Sequence, residues 1–441
     1  MRMRSKEGIP VLILTIVVVF YALATAGSAA STEKDTGPIK LGWIGNGGFI
    51  VHKDTLFAAR MAVDEVNQSG GILGRRLVLL EEDDKGQVPQ GVAAYKKLVM
   101  SEGCKLLLLA EGTDTSLANQ ESGAELYKEY PHISFTIGSA GADITQKIAD
   151  NYSKYKFFFR THHIVINANM DLISDFVTDI MKKNGMKKVA HIEEDASWNK
   201  ASREGGYGRP PFKDMLKQKG LDPVYYGVVS IQEKMFLPIF EKIAASGAEF
   251  ISTQCAYTDM AVLTKQWAVS AAKDIPICLT AASGSNLFSF WGRTNGACLG
   301  AVISSPEGDF PLTGKTLPFL KNLREKYGVG PTWMSAYAYE TVYMIKRAIE
   351  KAKGLQDMEA VIKALESGEI PREESVYGRI KFGNQGIEMH SLKLGPDYYL
   401  SFGGQWQGKD NMPLIWPFDL AERIDPGKKF LPLSQLRKMA K

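Results

Sequence analysis

Short apolar runs alternate with longer stretches of helical spacing through most of this chain. Ile39, Leu41, Trp43 and Ile44 form the first run, which ends in the glycine-rich turn Gly45 to Gly48. Phe57, Ala58, Met61, Ala62 and Val66 then recur at the spacing of one helix face, and Gly70 and Gly71 stop that helix. Leu77 to Leu80 make a second run, so residues 39–84 read as a β-loop-α-β unit with a parallel strand pair. Further strand-like runs begin at Lys105, His132, Lys188, Pro223, Glu249, Pro276 and Leu299. Between them lie helical patterns over 91–100, 116–130, 168–184, 211–220, 235–247 and 260–272. Such regular alternation predicts an α/β protein with parallel sheets covered by helices on both faces.

The start of the chain follows a different pattern. Arg2, Arg4 and Lys6 precede an almost wholly apolar stretch, Pro10 to Ala24, and small residues follow at 26–30. This is the layout of a secretory signal over 1–29, with Ala29 or Ala30 the last residue removed. The alternative is a membrane anchor, but the apolar stretch is shorter than the roughly 20 residues a spanning helix needs. Export places the mature protein in the periplasm or another extracytoplasmic space.

Charge and cysteines change the picture little. The net charge is +4, of which Arg2, Arg4, Lys6 and Glu7 supply +2. The near-neutral remainder gives no argument for nucleic acid or an anionic membrane. Cys104, Cys255, Cys278 and Cys298 show no CxxC spacing, so a zinc site has no support, while one or two disulfides are compatible with an oxidising compartment. Gly45-Asn-Gly-Gly48 lacks the third glycine of a dinucleotide loop, and Gly308 to Thr316 has five residues between its glycines where a P-loop needs four. His162 and His163 with His52 or Asp195 are a weak metal candidate, since vicinal histidines rarely chelate one ion. No cofactor, metal or catalytic residue is expected.

The stretch AVDEVNQSGGILGRRL, ending at Leu77, resembles the type I periplasmic binding proteins of ABC transporters. Within them it is most similar to the branched-chain amino acid (leucine/isoleucine/valine) binding family. Other stretches match in order: Phe157 to Thr161, Lys187 to Asp195, Tyr327 to Pro331, Ala336 to Glu340, and Tyr377 to Phe382 with Gly386. The resemblance implies two flavodoxin-like lobes joined by three crossovers. Lobe one would take 38–160 and 308–377, and lobe two 161–307 and 378–441. The ligand would sit between the lobes at the carboxyl ends of the strands.

The resemblance also suggests contacts, residue by residue. Thr115 and Ser116 open a helix after an apolar strand, where free amides and hydroxyls form a carboxylate cradle; a plain helix cap is the alternative. Gly138 permits close backbone approach, and Ser139 supplies a hydroxyl. Trp198 would cover the ligand, with Tyr207 as the rival aromatic. Tyr257 would stack from the same lobe. Where amino acid binders carry an acid for the ammonium, this chain has Ala281 and Ala282. The expected ligand therefore lacks an α-amino group unless Asp114, Asp195 or Glu307 substitutes.

The expected function is a monomeric, non-enzymatic solute-binding protein that hands a small amino-acid-like, carboxylate or amide ligand to ABC permease subunits. A ligand sensor of the same fold and an exported hydrolase with an unrecognised site remain as alternatives.

Overall fold

The computed structural model describes residues 37–162, 166–280, 289–304, 309–332, 334–399 and 401–439. The expected signal segment 1–29 lies outside the described residues, as do His163, Ala281, Ala282 and Glu307.

The first lobe forms around a five-stranded sheet. Its strands are β1 (Ile39–Gly45), β2 (Leu77–Asp83), β3 (Leu106–Ala110), β4 (Ile133–Thr136) and β5 (Phe158–Arg160), in the order β2-β1-β3-β4-β5. Every neighbouring pair is parallel, with Leu41 opposite Leu106 and Leu108 opposite Phe135. β3 is apolar and buried throughout, which is why a run of four leucines forms a central parallel strand and not an alternating one. The helix Ile50–Gln68 connects β1 to β2 and packs against Ser335–Ala352, so the late helix returns to this lobe.

The second lobe forms around β6 (Lys188–Glu194), β7 (Asp222–Val229), β8 (Phe250–Gln254), β9 (Ile277–Thr280) and β10 (Val302–Ser304), all parallel. A short two-stranded ribbon, β11 (Glu369–Ile370) and β12 (Ile380–Lys381), stands apart. β13 (Gly403–Gln405) and β14 (Leu414–Trp416) then add to β10 antiparallel, giving the order β14-β13-β10-β9-β8-β6-β7.

Each sheet has its own core. Leu41, Leu108, Phe135, Phe159, Tyr337 and Ile345 belong to the first; Phe176, Phe212, Ile251, Leu263 and Trp267 lie in the two clusters flanking the second sheet. Ile380, Phe382, Leu392 and Tyr399 are buried in the first core. Arg160, fully buried at the end of β5, ties this late segment down: it donates to Ser391 Oγ at 3.0 Å, Gly141 O at 2.8 Å and Thr145 Oγ1 at 2.7 Å. The four cysteines are buried and unpaired. Among the described residues no helix is long and apolar enough to cross a membrane.

Candidate functional site

In both sheets the strand order reverses beside the first strand of the lobe, between β1 and β3 and between β6 and β8. Loops leaving the carboxyl ends of such strands diverge and open a crevice. Here the two crevices face each other across a cavity of about 500 Å³. The first lobe lines it with Asn46, Phe49 and His52 after β1, Asp84, Gly86 and Val88 after β2, and Gly112 to Thr115 after β3. The second lobe contributes Asp195 to Trp198 after β6, Ile231 and Gln232 after β7, and Tyr257 after β8.

The helix Thr113–Leu126 begins at this cavity. Gly112 is its N-cap and makes no side-chain cap bond. Its first-turn amides therefore have no intrahelical acceptor. Tyr257 crosses from the other lobe to this point: a Cβ at Gly112 would sit 3.0 Å from the Tyr257 hydroxyl. Its ring lies 5.6 Å from that of Phe49, and Phe49 meets His52 edge-on at 4.8 Å. Burial pushes the His52 imidazole down to about 3, and its Nδ1 accepts from the Asn46 amide at 3.0 Å. A neutral ring with its proton on Nε2 satisfies both observations.

Trp198 is set by the acid at the end of β6. Glu194 is fully buried and accepts from Trp198 Nε1 at 2.9 Å, the amides of Tyr257 and Thr258 at 2.9 Å each, and Thr258 Oγ1 at 2.9 Å. Burial raises its pKa, and these donors pull it back. Asn199 joins the ends of β6 and β8 by donating to Glu194 O at 3.0 Å and Gln254 O at 3.1 Å. One carboxylate thus orients both aromatic residues that the second lobe presents.

Of the residues singled out in the sequence, Thr115, Trp198 and Tyr257 line the cavity together. Ser116, Gly138 and Ser139 do not; they form the wall behind it. Ser116 Oγ meets Ser139 Oγ at 2.6 Å and Glu111 Oε1 at 3.0 Å, and Ser139 donates to Glu111 O at 2.9 Å. Gly138 is required by that wall, since a Cβ there would lie 2.8 Å from Glu111 O. Tyr207 turns away: it is over a third exposed and donates to Asp143. That leaves Trp198 as the aromatic facing the cleft. Asp114 and Asp195 both reach the cavity, joined by Asp84, which is 1% exposed and accepts from Gly86 N at 2.9 Å. An acid therefore stands in the cleft after all, although Ala281 and Ala282 are outside the described residues.

Sequence reasoning missed Phe49, Asp84, Glu111 and the organising role of Glu194, and raised His52 only as a metal candidate. A signal existed for the two glutamates. Glu111 follows the apolar strand Leu106–Ala110, and Glu194 closes a strand that is buried from Val189 onward.

Two α/β lobes that face each other across a cavity built from strand-end loops define a type I solute-binding architecture. The chain belongs to the periplasmic binding protein family, which it matches over residues 38–392. It is 24% identical over 328 residues to the Leu/Ile/Val-binding protein homolog 3 of Brucella melitensis, covering 74% of this chain and 82% of that one. It is 24% identical over 370 residues to the leucine-, isoleucine-, valine-, threonine- and alanine-binding protein of Pseudomonas aeruginosa, covering 83% and 91%. Two solved structures share the fold. An ABC transporter solute-binding protein from R. palustris, in complex with benzoate, superposes with a TM-score of 0.67 at 14% identity, covering 86% of this chain and 95% of that one. A branched-chain amino acid transporter substrate-binding protein from Streptococcus pneumoniae, in complex with isoleucine, superposes at 0.64 with 15% identity, covering 85% and 97%.

Proposed function

We propose that this protein captures a small amino-acid-like, carboxylate or amide solute between its lobes and delivers it to the permease of an ABC importer. The observation that carries the reading is the interlobe cavity of about 500 Å³, where Trp198 and Tyr257 of one lobe face Thr115 and a helix start of the other. That volume is within the range of small-ligand sites. The leucine-isoleucine-valine names of the relatives and the benzoate and isoleucine complexes of the structural neighbours agree with a ligand of this size. The proposed lobes are 38–160 with 308–377 and 161–307 with 378–441. Burial of Ile380, Phe382, Leu392 and Tyr399 in the first core supports moving 378–399 to the first lobe.

Calorimetry on the folded protein tests the site. Tyr257→Ala and Trp198→Ala should each weaken binding by roughly 1–3 kcal/mol, the scale of a lost buried aromatic contact. Trp198 is also packed in the second core, so its replacement costs stability as well, and Tyr257 gives the cleaner reading. Unchanged affinity in both variants removes the cleft assignment.

The same reading includes export with removal of the signal segment. The mature protein should begin at Ala30 or Ser31 and be recovered outside the cytoplasm. Intact-mass analysis checks this, and an uncleaved chain in the membrane fraction contradicts it.

A further inference from the structure

The charge lining the cleft is one-sided. Asp84, Asp114 and Asp195 line the cavity, and no Lys or Arg lines it among the described residues. Asp195 has an ion-pair partner, Arg203 at 3.3 Å. Asp84 and Asp114 have none among the ion pairs of the described residues.

The apolar part of the lining points the same way. Phe49, Trp198 and Tyr257 present ring faces and edges around the cavity, with Phe49 and Tyr257 5.6 Å apart and tilted 38°. Aromatic faces next to carboxylates attract an organic cation through the ring quadrupole as well as through charge. The field is felt at the Tyr257 hydroxyl, whose pKa is raised by burial and then by Glu194, Asp114, Asp84 and Glu111.

The free amides of the Thr113–Leu126 helix need an acceptor and favour negative charge. Asp114, in the first turn of the same helix, already supplies that charge. A neutral carbonyl or hydroxyl on the ligand satisfies the amides without adding a further anion to the cavity.

Resting on the cleft reading above, we infer that the ligand is an organic cation: a protonated amine on an apolar body, with an uncharged acceptor at its other end. The amine sits near Asp84 and Asp114, and the apolar body lies against Phe49, Trp198 and Tyr257. A simple carboxylic acid meets an acidic cleft with no cation to receive it.

Shape-matched pairs test this on the mature protein by calorimetry and thermal shift: leucinamide against isocaproate and phenethylamine against hydrocinnamate. Leucine and isocaproamide serve as members without net charge. At least one amine should bind, about tenfold or more tighter than its carboxylate partner, the scale of one unscreened charge contact. Asp114→Asn, an exposed position expected to leave folding intact, should erase most of that preference, and Asp84→Asn the rest. A carboxylate that outbinds its amine partner overturns the inference, and so does the absence of any amine binding at millimolar concentration. If carboxylates or uncharged members bind and Tyr257→Ala in folded protein weakens that binding, the cleft reading stands and only the cation inference falls. Amine binding that survives both Trp198→Ala and Tyr257→Ala lies elsewhere and also overturns it.

Discussion

Glu111→Gln should make the protein more stable than wild type at pH 8 and leave it nearly unchanged at pH 5. Glu111 is fully buried behind the cleft wall. Burial, and then the charge of Asp84, push its carboxyl up to about 8 from an ordinary 4.5, against the opposing hydrogen bonds from Asn119 and Ser116. The folded state therefore holds a proton on Glu111 across the window from about 4.5 to about 8, where the unfolded chain has released it. Protons held in the folded state mean that stability is complete below the unfolded value and falls as pH rises through the window. Each pH step across that window costs about 1.4 kcal/mol, so the loss at this site is on the order of a few kcal/mol by pH 8. Asn119 Nδ2 donates to Oε2 at 2.8 Å and Ser116 Oγ donates to Oε1 at 3.0 Å; on protonation of Oε1 the Ser116 hydroxyl can rotate and accept at the same distance. A glutamine amide makes the same two contacts and cannot ionise. Glu340, held up to about 7 by burial in the first lobe, adds to the same downward slope in both proteins and cancels in the comparison. Urea unfolding at pH 5 and pH 8 measures the effect. An equal difference at both pH values means that Glu111 is charged in the folded protein.

The location of Glu111 shows what the sequence could and could not convey. The turn after β3 was legible as an open helix start, because an apolar strand, a glycine and a hydroxyl-rich stretch follow one another. Which hydroxyls face the ligand was not. Thr115 faces the cavity, while Ser116, one residue on, is rotated about 100° around the helix and meets Glu111 and Ser139 in the wall. The central parallel strand was legible because fully buried β3 leaves a run of apolar residues; β8 is equally buried but carries Ser252, Thr253 and Gln254. β13 and β14 were not, since three residues each, containing Gly403 and Gly404, give no alternation to read. The loops after β1 and β2 escaped for another reason. Phe49 and Asp84 become cleft residues only because the strand order reverses between β1 and β3, a fact of the sheet and not of either loop.

Glu194→Ala should remove ligand binding more completely than the loss of either aromatic residue alone, and should cost on the order of a few kcal/mol of stability, the scale for leaving several buried donors without their acceptor. The carboxylate is the common acceptor for Trp198 Nε1, the Tyr257 amide, the Thr258 amide and Thr258 Oγ1. Alanine leaves these buried donors facing a void, at about 1–3 kcal/mol for each that finds no water. The affinity loss follows from geometry. Trp198 and Tyr257 reach the cleft from different strands, β6 and β8, and Glu194 is the group that both of their loops share. Without it both rings can leave their positions, so a loss of about a hundredfold or more is expected, the sum of two modest aromatic contributions. Glu194→Gln should fall between, because its oxygen keeps one set of donors while its amide nitrogen opposes the rest. The discriminating measurement is a double-mutant cycle with Tyr257→Ala, read by calorimetry on folded protein and by Trp198 fluorescence. If Glu194 positions Tyr257, the second substitution costs much less in the Glu194→Ala background than in wild type. Full additivity, or wild-type affinity in folded Glu194→Ala, would show that the rings hold their places without the carboxylate.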